Sequence, residues 1–177
     1  YYSSLAWDTN HYLNIYTNTA SGALGYVPSL PQGGIVGSNQ DRVVIAWDAF
    51  GSPAVGGPPY DTGRTATHEV GHYLGLYHTF EGGCAAVSGC YSNGDTICDT
   101  NPESAAVFGC PGSHTSCSTS DPFHNYMDYS DDGCMTNFTP EQVRRMRCTL
   151  TSYRPLLATT LNAAAATVRQ GGGDPNI

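Results

Sequence analysis

Lysine is absent from this chain of 177 residues, and basic side chains of any kind are few. All seven are arginines, against 15 acidic residues, which gives a formal net charge of −8 at pH 7. Proteins that bind nucleic acids need a positively charged surface to neutralise phosphates. The composition therefore predicts no nucleic-acid partner, and we interpret the cluster of Arg144, Arg145 and Arg147 as the solvated face of a helix.

Long hydrophobic runs are also missing. A transmembrane helix requires about 18 or more consecutive apolar residues, and the sequence contains no such run, so we predict no membrane span. The length suits a single domain over residues 1–177, with an upper lobe at about 1–78, a lower lobe at 79–155 and a C-terminal tail at 156–177. The start at Tyr1, without a signal-like segment, suggests a processed chain or a fragment.

Cysteine, by contrast, is abundant. Seven cysteines predict disulfide bonds and an oxidising, extracellular location, with one cysteine left over. A second zinc site on thiolates is the alternative, and it is disfavoured because no two cysteines have the two to four intervening residues usual in such sites. Six of the seven lie between residues 82 and 134, a stretch without clear periodicity, and only Cys148 lies in a later predicted helix.

The most informative segment runs from His68 to His78 and reads His-Glu-Val-Gly-His-Tyr-Leu-Gly-Leu-Tyr-His. On a helix, His68 and His72 lie four residues apart on one face, so both imidazoles can reach one metal ion. Gly75 can adopt a positive φ and turn the chain, which would return His78 as a third ligand. Three histidines leave one coordination position open, as in catalytic rather than structural zinc sites.

Glu69 is adjacent to the first of these histidines and points slightly away from the metal. A carboxylate in that place can accept a proton from an activated water molecule. An ordinary amphipathic helix is the alternative, but the chance of the extended spacing is on the order of 10⁻⁵. Either Asp61 or Thr62 is predicted to cap this helix. The helix face opposite the histidines is predicted to pack into a core and consists of Ala66, Val70, Tyr73 and Leu74.

Two strands and a final helix are predicted around this segment. Tyr12 to Tyr16 and Arg42 to Trp47 have strand patterns and are separated by Gly- and Pro-rich turns. The last helix has Thr139 as N-cap, Pro140 at its first position and Gln142 in the capping-box position, and it should end before Pro155. Its predicted buried stripe is Val143, Met146 and Leu150.

Acidic residues gather in the loop-rich stretch and around its end. Their oxygen atoms suit calcium, with Asp95 and Asp99 as the first candidates, whereas solvated loop acids are the alternative. The spacing does not match an EF-hand loop. The full set is Asp95, Asp99, Asp121, Asp128, Asp131 and Asp132.

The segment from His68 to His78 resembles the zinc signature of the metzincin metalloendopeptidases. A second segment, Asn125-Tyr126-Met127-Asp128-Tyr129, resembles their Met-turn. Together with Gly94 to Thr100 and Phe138 to Gln142, the pattern is similar to the pappalysin family, in particular its secreted ulilysin-like members, over about residues 12–155.

This resemblance implies an α+β, two-lobed zinc peptidase. A small twisted sheet and the active-site helix would lie above a loop-rich, disulfide-stapled lower lobe with a C-terminal helix. It further implies zinc on the three histidines, Glu69 as general base and then general acid, Met127 beneath the histidines and Tyr129 as the oxyanion donor.

The resemblance also implies finer features. Calcium would bind near Asp95 to Thr100, and Asp132 would lie at the base of the S1′ pocket, where an anion favours Arg or Lys at P1′. Asp131 is a rival for that role, and a solvated loop acid is the alternative for both. Family disulfides imply that Cys110 pairs with Cys134, and that Cys117 pairs with Cys90 or Cys84.

The sequence departs from the family in one respect, since further strands and helices usually precede the segment that matches Tyr12 to Tyr16. The upper sheet is therefore expected to be truncated. We expect a secreted zinc endopeptidase that acts on proteins and peptides. The rival interpretations are a catalytically silent, zinc-stabilised binding module and a small-molecule zinc amidase, and the sequence does not determine the oligomeric state.

Overall fold

A computed structural model describes residues 2–51, 55–87 and 89–160. Most of the predicted C-terminal tail therefore lies outside the described residues. Within the described ranges, no helix is long and apolar enough to cross a membrane. The predicted α+β class is confirmed, because helices accompany a small mixed sheet without a regular alternation of strand and helix.

Three helices and five strands form the regular structure of the described ranges. Short 3₁₀ turns occur at Ala20–Gly22, Pro31–Gly33 and Gly83–Val87, and residues 155–160 are helical. The helices are α1 (Tyr2–Leu5), α2 (Arg64–Tyr73) and α3 (Pro140–Ser152), and the strands are β1 (Ile15–Asn18), β2 (Gly25–Tyr26), β3 (Val43–Ala46), β4 (Thr115–Ser116) and β5 (Thr119–Ser120).

The main sheet has the order β1-β3-β2, with β1 parallel and β2 antiparallel to the central strand. All four residues of β3 are buried, as its continuous run of apolar residues predicts. One face of β3, through Val44, packs against Ala20 and Ala49, and the other, through Val43 and Ile45, packs against Tyr73. The central strand therefore fixes the height of α2 above the sheet.

The strand predictions are confirmed in part. The segment from Arg42 to Trp47 contains β3, whereas the first strand begins at Ile15, three residues later than predicted. Strand β2 was not predicted, because two residues, one of them glycine, are too few to show an alternating pattern.

The predicted N-cap of α2 is wrong. Gly63 occupies that position with φ +85°, and no side chain of the helix's own first turn caps it. Instead, Oδ2 of Asp132 accepts hydrogen bonds from Thr62 N (2.8 Å), Thr62 Oγ1 (3.0 Å) and Arg64 N (3.3 Å). A carboxylate from a distant loop therefore accepts from the first amide of this helix and lies at the positive end of its dipole.

The capping box of α3 is confirmed. Thr139 Oγ1 accepts from Gln142 N, and Gln142 Oε1 accepts from Thr139 N. The predicted buried stripe is confirmed in part, because Leu150 packs against the core, whereas the fully buried residues of α3 are Gln142 and Thr149. This helix turns polar side chains toward the loops that carry the functional site, so the apolar residues of the predicted stripe are only half-buried. These residues are Val143, Met146 and Leu150.

The lower region contains almost no regular structure between residues 79 and 134, apart from one 3₁₀ turn and the β4–β5 hairpin. Disulfides take the place of secondary structure there. They join Cys84 to Cys117, Cys90 to Cys98 and Cys110 to Cys134. The predicted pairing of Cys110 with Cys134 is confirmed. Of the two alternatives for Cys117 the structure has Cys84, because Cys90 pairs with Cys98, eight residues along the chain. Cys148 is free and exposed.

A buried ion pair ties the segment after α3 to the sheet. Nη1 and Nη2 of Arg154 donate to the two carboxylate oxygens of Asp41 at 2.6 and 2.8 Å. Nε of the same arginine donates to the carbonyl of Tyr73, and its guanidinium stacks over that ring at 3.5 Å. The C-terminal end of α2 is thereby held between the chain ahead of β3 and the chain after α3.

Candidate active site

Three imidazoles converge at the C-terminal end of α2. Nε2 of His72 lies 3.0 Å from Nε2 of His68 and 3.0 Å from Nε2 of His78, and the last two atoms are 3.2 Å apart. A tetrahedral site with Zn–N bonds of about 2.0–2.1 Å requires N···N separations of roughly 3.3 Å. This is the only group of three or more potential metal-binding side chains found among the described residues.

The two histidines on α2 are oriented by backbone carbonyls. Nδ1 of His68 donates to Tyr126 O, and Nδ1 of His72 donates to Leu76 O, both at 2.7 Å. Each Nε2 therefore presents a lone pair to the centre. Burial lowers the pKa of all three imidazoles, and at His68 and His78 the neighbouring imidazoles lower it further. The pKa of His78 is about 3. The donor set is neutral and fits zinc.

A glycine turn carries the chain from α2 to the third histidine. Gly75 has φ +90°, and its amide donates to His72 O at 2.8 Å. A Cβ at this position would lie 2.7 Å from Thr149 Oγ1 of α3. Both the backbone conformation and the lack of space therefore require glycine, and the turn directs His78 back to the other imidazoles.

Glu69 lies next to the imidazole cluster and is 5% exposed. Burial raises the pKa of its carboxyl to about 8. In the described part of the chain no protein group forms a hydrogen bond with this carboxylate, which faces the cleft. The edge strand β2 passes close by, since a Cβ on Gly25 would lie 2.7 Å from Cγ of Glu69. The glycine leaves the space that the carboxylate occupies.

The second sequence motif lies beneath and beside the histidines. Met127 is fully buried, and a Cβ on Gly71 would collide with its Sδ, so the turn packs directly against α2. The Tyr129 ring lies 4.9 Å from that of His78 and 5.7 Å from that of His68. Burial, followed by the nearby carboxylates, raises the pKa of Tyr129, so its hydroxyl keeps its proton at neutral pH.

Buried amides hold this turn in place. Asn125 Nδ2 donates to Gln142 Oε1 at 2.8 Å, and Gln142 Nε2 donates back to Asn125 Oδ1 at 3.1 Å. The same Asn125 oxygen accepts from Met127 N at 2.9 Å. Gln142, which the sequence identified only as part of a capping box, thus also positions the turn. The role of Asn125 was missed, because nothing local marks a residue whose partner lies 17 positions away.

Two cavities of about 360 and 310 Å³ flank the histidines. Both are lined by Gly25, His68, Glu69 and Tyr129, so a chain crossing the cleft would pass over all four. β2 forms the upper edge of the cleft, and its outer side carries no further strand in the described part of the sheet. The arrangement can hold an extended polypeptide against the metal centre.

Asp132 lies in the wall of the larger cavity and is 4% exposed. The rival residue Asp131 does not line either cavity, and its amide donates to Gly109 O at 3.0 Å. Of the two candidate acids, only Asp132 lines the same cavity as His68, Glu69 and Tyr129. The remaining walls of that cavity combine aromatic and apolar side chains, among them Leu24, Tyr60, Phe108 and Met135.

The candidate calcium residues face different partners. Asp95 is buried and accepts from Ile97 N and Thr100 Oγ1 within its own loop, and burial raises its pKa to about 6. Asp99 is exposed and accepts from Glu141 N at the start of α3. The structure does not direct these two carboxylates to a common point.

A buried acid that sequence reasoning missed is Glu103, which is 0% exposed. Its Oε2 accepts from Thr79 Oγ1 at 2.8 Å, whereas Oε1 has no hydrogen-bond partner. Burial, followed by repulsion from Asp128 and Asp121, raises the pKa of this carboxyl to about 8. No pattern in the sequence distinguishes this residue from a solvated loop acid.

Comparison with known sequences gives a consistent family. The M43 peptidase model, described as pregnancy-associated plasma protein-A, matches residues 2–151. An extracellular metalloprotease of Podospora anserina is 41% identical over 148 residues, which cover 80% of this chain and 48% of the relative. Extracellular metalloprotease 1 of Coccidioides posadasii is 42% identical over 148 residues, covering 80% and 50%. This chain thus spans about half the length of the curated relatives it matches.

Solved structures with the same fold include mature mirolysin of Tannerella forsythia in complex with a cleaved peptide. It is 40% identical, with a TM-score of 0.73 over 86% of this chain and 58% of that one. A promirolysin variant from the same organism is 38% identical, with a TM-score of 0.74 over 89% and 53%. Most of this chain therefore shares its architecture with a solved metalloprotease.

Proposed function

Because the chain belongs to the M43 peptidases of the pregnancy-associated plasma protein-A type, the pappalysins, we propose that it is a zinc-dependent endopeptidase that hydrolyses peptide bonds in proteins. One observation carries the proposal: three neutral imidazole nitrogens converge within 3.2 Å in a cleft that also exposes a carboxylate and a phenol. Two flanking cavities give that cleft room for chain on both sides of the reacting bond.

Zinc, when bound, polarises the scissile carbonyl and lowers the pKa of the attacking water. Glu69 accepts the proton of that water and then delivers it to the departing amine. Tyr129 keeps its phenolic proton and donates a hydrogen bond to the oxyanion as the carbonyl becomes tetrahedral.

The substrate is proposed to lie extended along β2. This strand is at the edge of the sheet, and strand addition satisfies the backbone groups of a bound peptide without regard to its sequence. Gly25 and Glu69 are in contact across this edge, so the substrate backbone would pass directly over the general base. A folded or small substrate could not use the edge in this way, which favours polypeptides over small amides.

Asp132 is proposed to select Arg or Lys at P1′. Support comes from its position in the wall of the larger cavity, where a partly dry carboxylate binds a cation through charge-assisted hydrogen bonds. Its Oδ2 is already engaged by the start of α2, so the cation would bind at Oδ1. A cleavage-site survey on a denatured proteome should show basic P1′ residues, and Asp132→Asn should weaken that preference while Asp131→Asn retains it.

Secretion is proposed on two grounds. The relatives are named extracellular metalloproteases, and disulfides join six of the cysteines, a pattern typical of an oxidising compartment.

Calcium is proposed as a structural ion near Asp95 and Asp99, and Glu103 is a further candidate ligand. Its Oε1 is buried without a partner, beside two further buried acids, and a cation there would remove the cost of that arrangement. Calcium titration of the purified protein should raise the unfolding temperature, and Glu103→Gln should abolish the rise. If Asp99→Asn abolishes it and Glu103→Gln does not, the ion binds at the loop.

The decisive experiment replaces Glu69 with Gln. Zinc content should remain unchanged while casein cleavage falls by a factor of about 10²–10⁴. Asp48→Asn, an exposed acid outside both cavities, is the matched control and should cleave normally. Retained cleavage by Glu69→Gln would refute the mechanism. Zinc binding by the wild type without cleavage of any protein would instead support a binding module or an amidase. Hydrolysis of small acetylated amides would then support the amidase, and no hydrolysis the binding module.

A further inference from the structure

We propose that Phe80 is a positioning residue that orients both the third zinc ligand, His78, and the oxyanion donor, Tyr129. The inference rests on the proposed zinc peptidase function and extends it to a residue outside both sequence motifs. Phe80 lies two positions after His78 and is half-buried.

The three imidazoles are not held in the same way. Nδ1 of His68 and of His72 each donates to a backbone carbonyl. Within the described ranges no protein group forms a hydrogen bond with Nδ1 of His78. A histidine bound to a metal normally has such a partner, which sets the orientation of the ring. Another contact must therefore hold the plane of His78.

Ring stacking supplies that contact. The rings of Phe80 and His78 have centroids 4.6 Å apart and planes only 10° from parallel. The other two histidines have no such stacked neighbour among the described residues; they meet each other at 84°. The flat face of Phe80 therefore restricts rotation of the one imidazole that lacks a hydrogen-bonding partner.

The backbone fixes Phe80 firmly enough for this role. Its carbonyl accepts from Gly83 N at 3.0 Å, which closes a tight turn. The preceding residue, Thr79, donates through its amide to Met127 O at 3.2 Å and through its hydroxyl to Glu103 at 2.8 Å. The turn that carries Phe80 is thus attached to the methionine-containing turn beneath the histidines.

The same ring also contacts Tyr129. Phe80 and Tyr129 have centroids 4.9 Å apart at 65°, and Tyr129 and His78 have centroids 4.9 Å apart at 75°. The three rings therefore form a closed triangle in which each contacts the other two. A change at Phe80 should alter the metal geometry and the position of the phenol together.

The test compares Phe80→Leu, which keeps an apolar side chain without a flat ring, with Phe80→Tyr, which keeps the ring. In Phe80→Leu we expect zinc affinity, measured by competition with a chelator, to fall about tenfold or more. The visible spectrum of the cobalt-substituted protein should change, and kcat should fall more than KM rises. Phe80→Tyr should keep the zinc affinity, the cobalt spectrum and the kinetic constants of the wild type. Phe108→Leu, whose ring contacts Tyr129 at 5.9 Å and has no ring contact with His78, is the control for metal affinity and spectrum.

Wild-type affinity and an unchanged cobalt spectrum in Phe80→Leu would overturn the proposal. Circular dichroism checks folding, and if Phe80→Leu is unfolded, Phe80→Met provides a second variant without a ring and carries the same expectation. The metal measurements do not depend on catalysis. If the wild type binds zinc but cleaves no protein, the proposed function fails while the role of Phe80 is still decided by affinity and spectrum.

Discussion

The two walls of the candidate active site are built in different ways. The segment from Arg64 to His78 places its functional groups through a regular helix and one glycine turn, so that neighbours in space are neighbours in sequence. The segment from Asn125 to Asp132 has no regular secondary structure and is held by buried side chains and distant backbone groups. The contacts that position the functional groups are thus between sequence neighbours in one wall and between distant residues in the other.

The difference shows where disturbance should spread. In the helical wall, a substitution acts mainly on the metal, because helical hydrogen bonds hold the backbone independently. In the other wall, loss of one buried amide leaves its partner unsatisfied and releases several residues together. The following four predictions test this contrast in order of decreasing effect on the free energy of unfolding.

Removal of zinc should destabilise the protein most. A ligand present at 1,000 times its Kd contributes about 4 kcal/mol, and chelation removes that contribution. Hydrogen exchange should then increase in α2 and around His78 before it increases at Asn125 to Met127. Chelator should have little effect on His78→Ala. Simultaneous loss of protection in both walls would show that the metal, rather than the amides, holds the second wall.

Gln142→Ala should cost about 3 kcal/mol, because it breaks the buried pair with Asn125 and part of the α3 cap. Chemical denaturation measures the loss. Zinc affinity should fall less than stability, since His72 keeps its partner, the Leu76 carbonyl, outside this wall. Gln40→Ala removes an exposed side chain of the same type and should be neutral. Equal effects of the two substitutions would contradict the role of the amide pair.

Gly75→Ala should cost about 2 kcal/mol and also weaken zinc binding. The left-handed backbone costs about 1–2 kcal/mol for a residue with Cβ, and that Cβ would lie 2.7 Å from Thr149 Oγ1. Adding Thr149→Ala should relieve the crowding without relieving the backbone strain. Gly34→Ala, with φ +78° and nothing within 4 Å of its Cβ, shows the strain alone and should leave zinc affinity intact.

The pH dependence of stability should be the smallest effect. Glu103 has a folded-state pKa of about 8 against an ordinary value of 4.5, so the folded state holds a proton that the unfolded state releases between these values. Between pH 7 and 8 in calcium-free buffer, stability should therefore fall by about 1 kcal/mol, because one pKa unit corresponds to about 1.4 kcal/mol. Glu103→Gln should flatten this part of the profile. If Glu103→Gln leaves this part of the profile unchanged, the carboxyl is ionised in the fold.

The extent of prediction from sequence follows the same contrast. Helical periodicity and one glycine were enough to bring His68, His72 and His78 to one point, because the helix repeat is fixed by backbone geometry. The capping box at Thr139 was equally accessible, since both partners lie within four residues. The cap supplied by Asp132, the amide pair of Asn125 and the buried state of Glu103 depend on contacts between distant residues, and no local pattern encodes such contacts.

Asp132 joins two tasks that an engineer or a lineage would prefer to vary separately. The residue proposed to choose the side chain after the scissile bond also caps the start of the helix that carries the first two histidines. A library at this position should therefore be filtered by folding before it is filtered by cleavage preference. New specificity is expected only in variants that also carry a replacement cap near Thr62, because the helix start then no longer depends on Asp132.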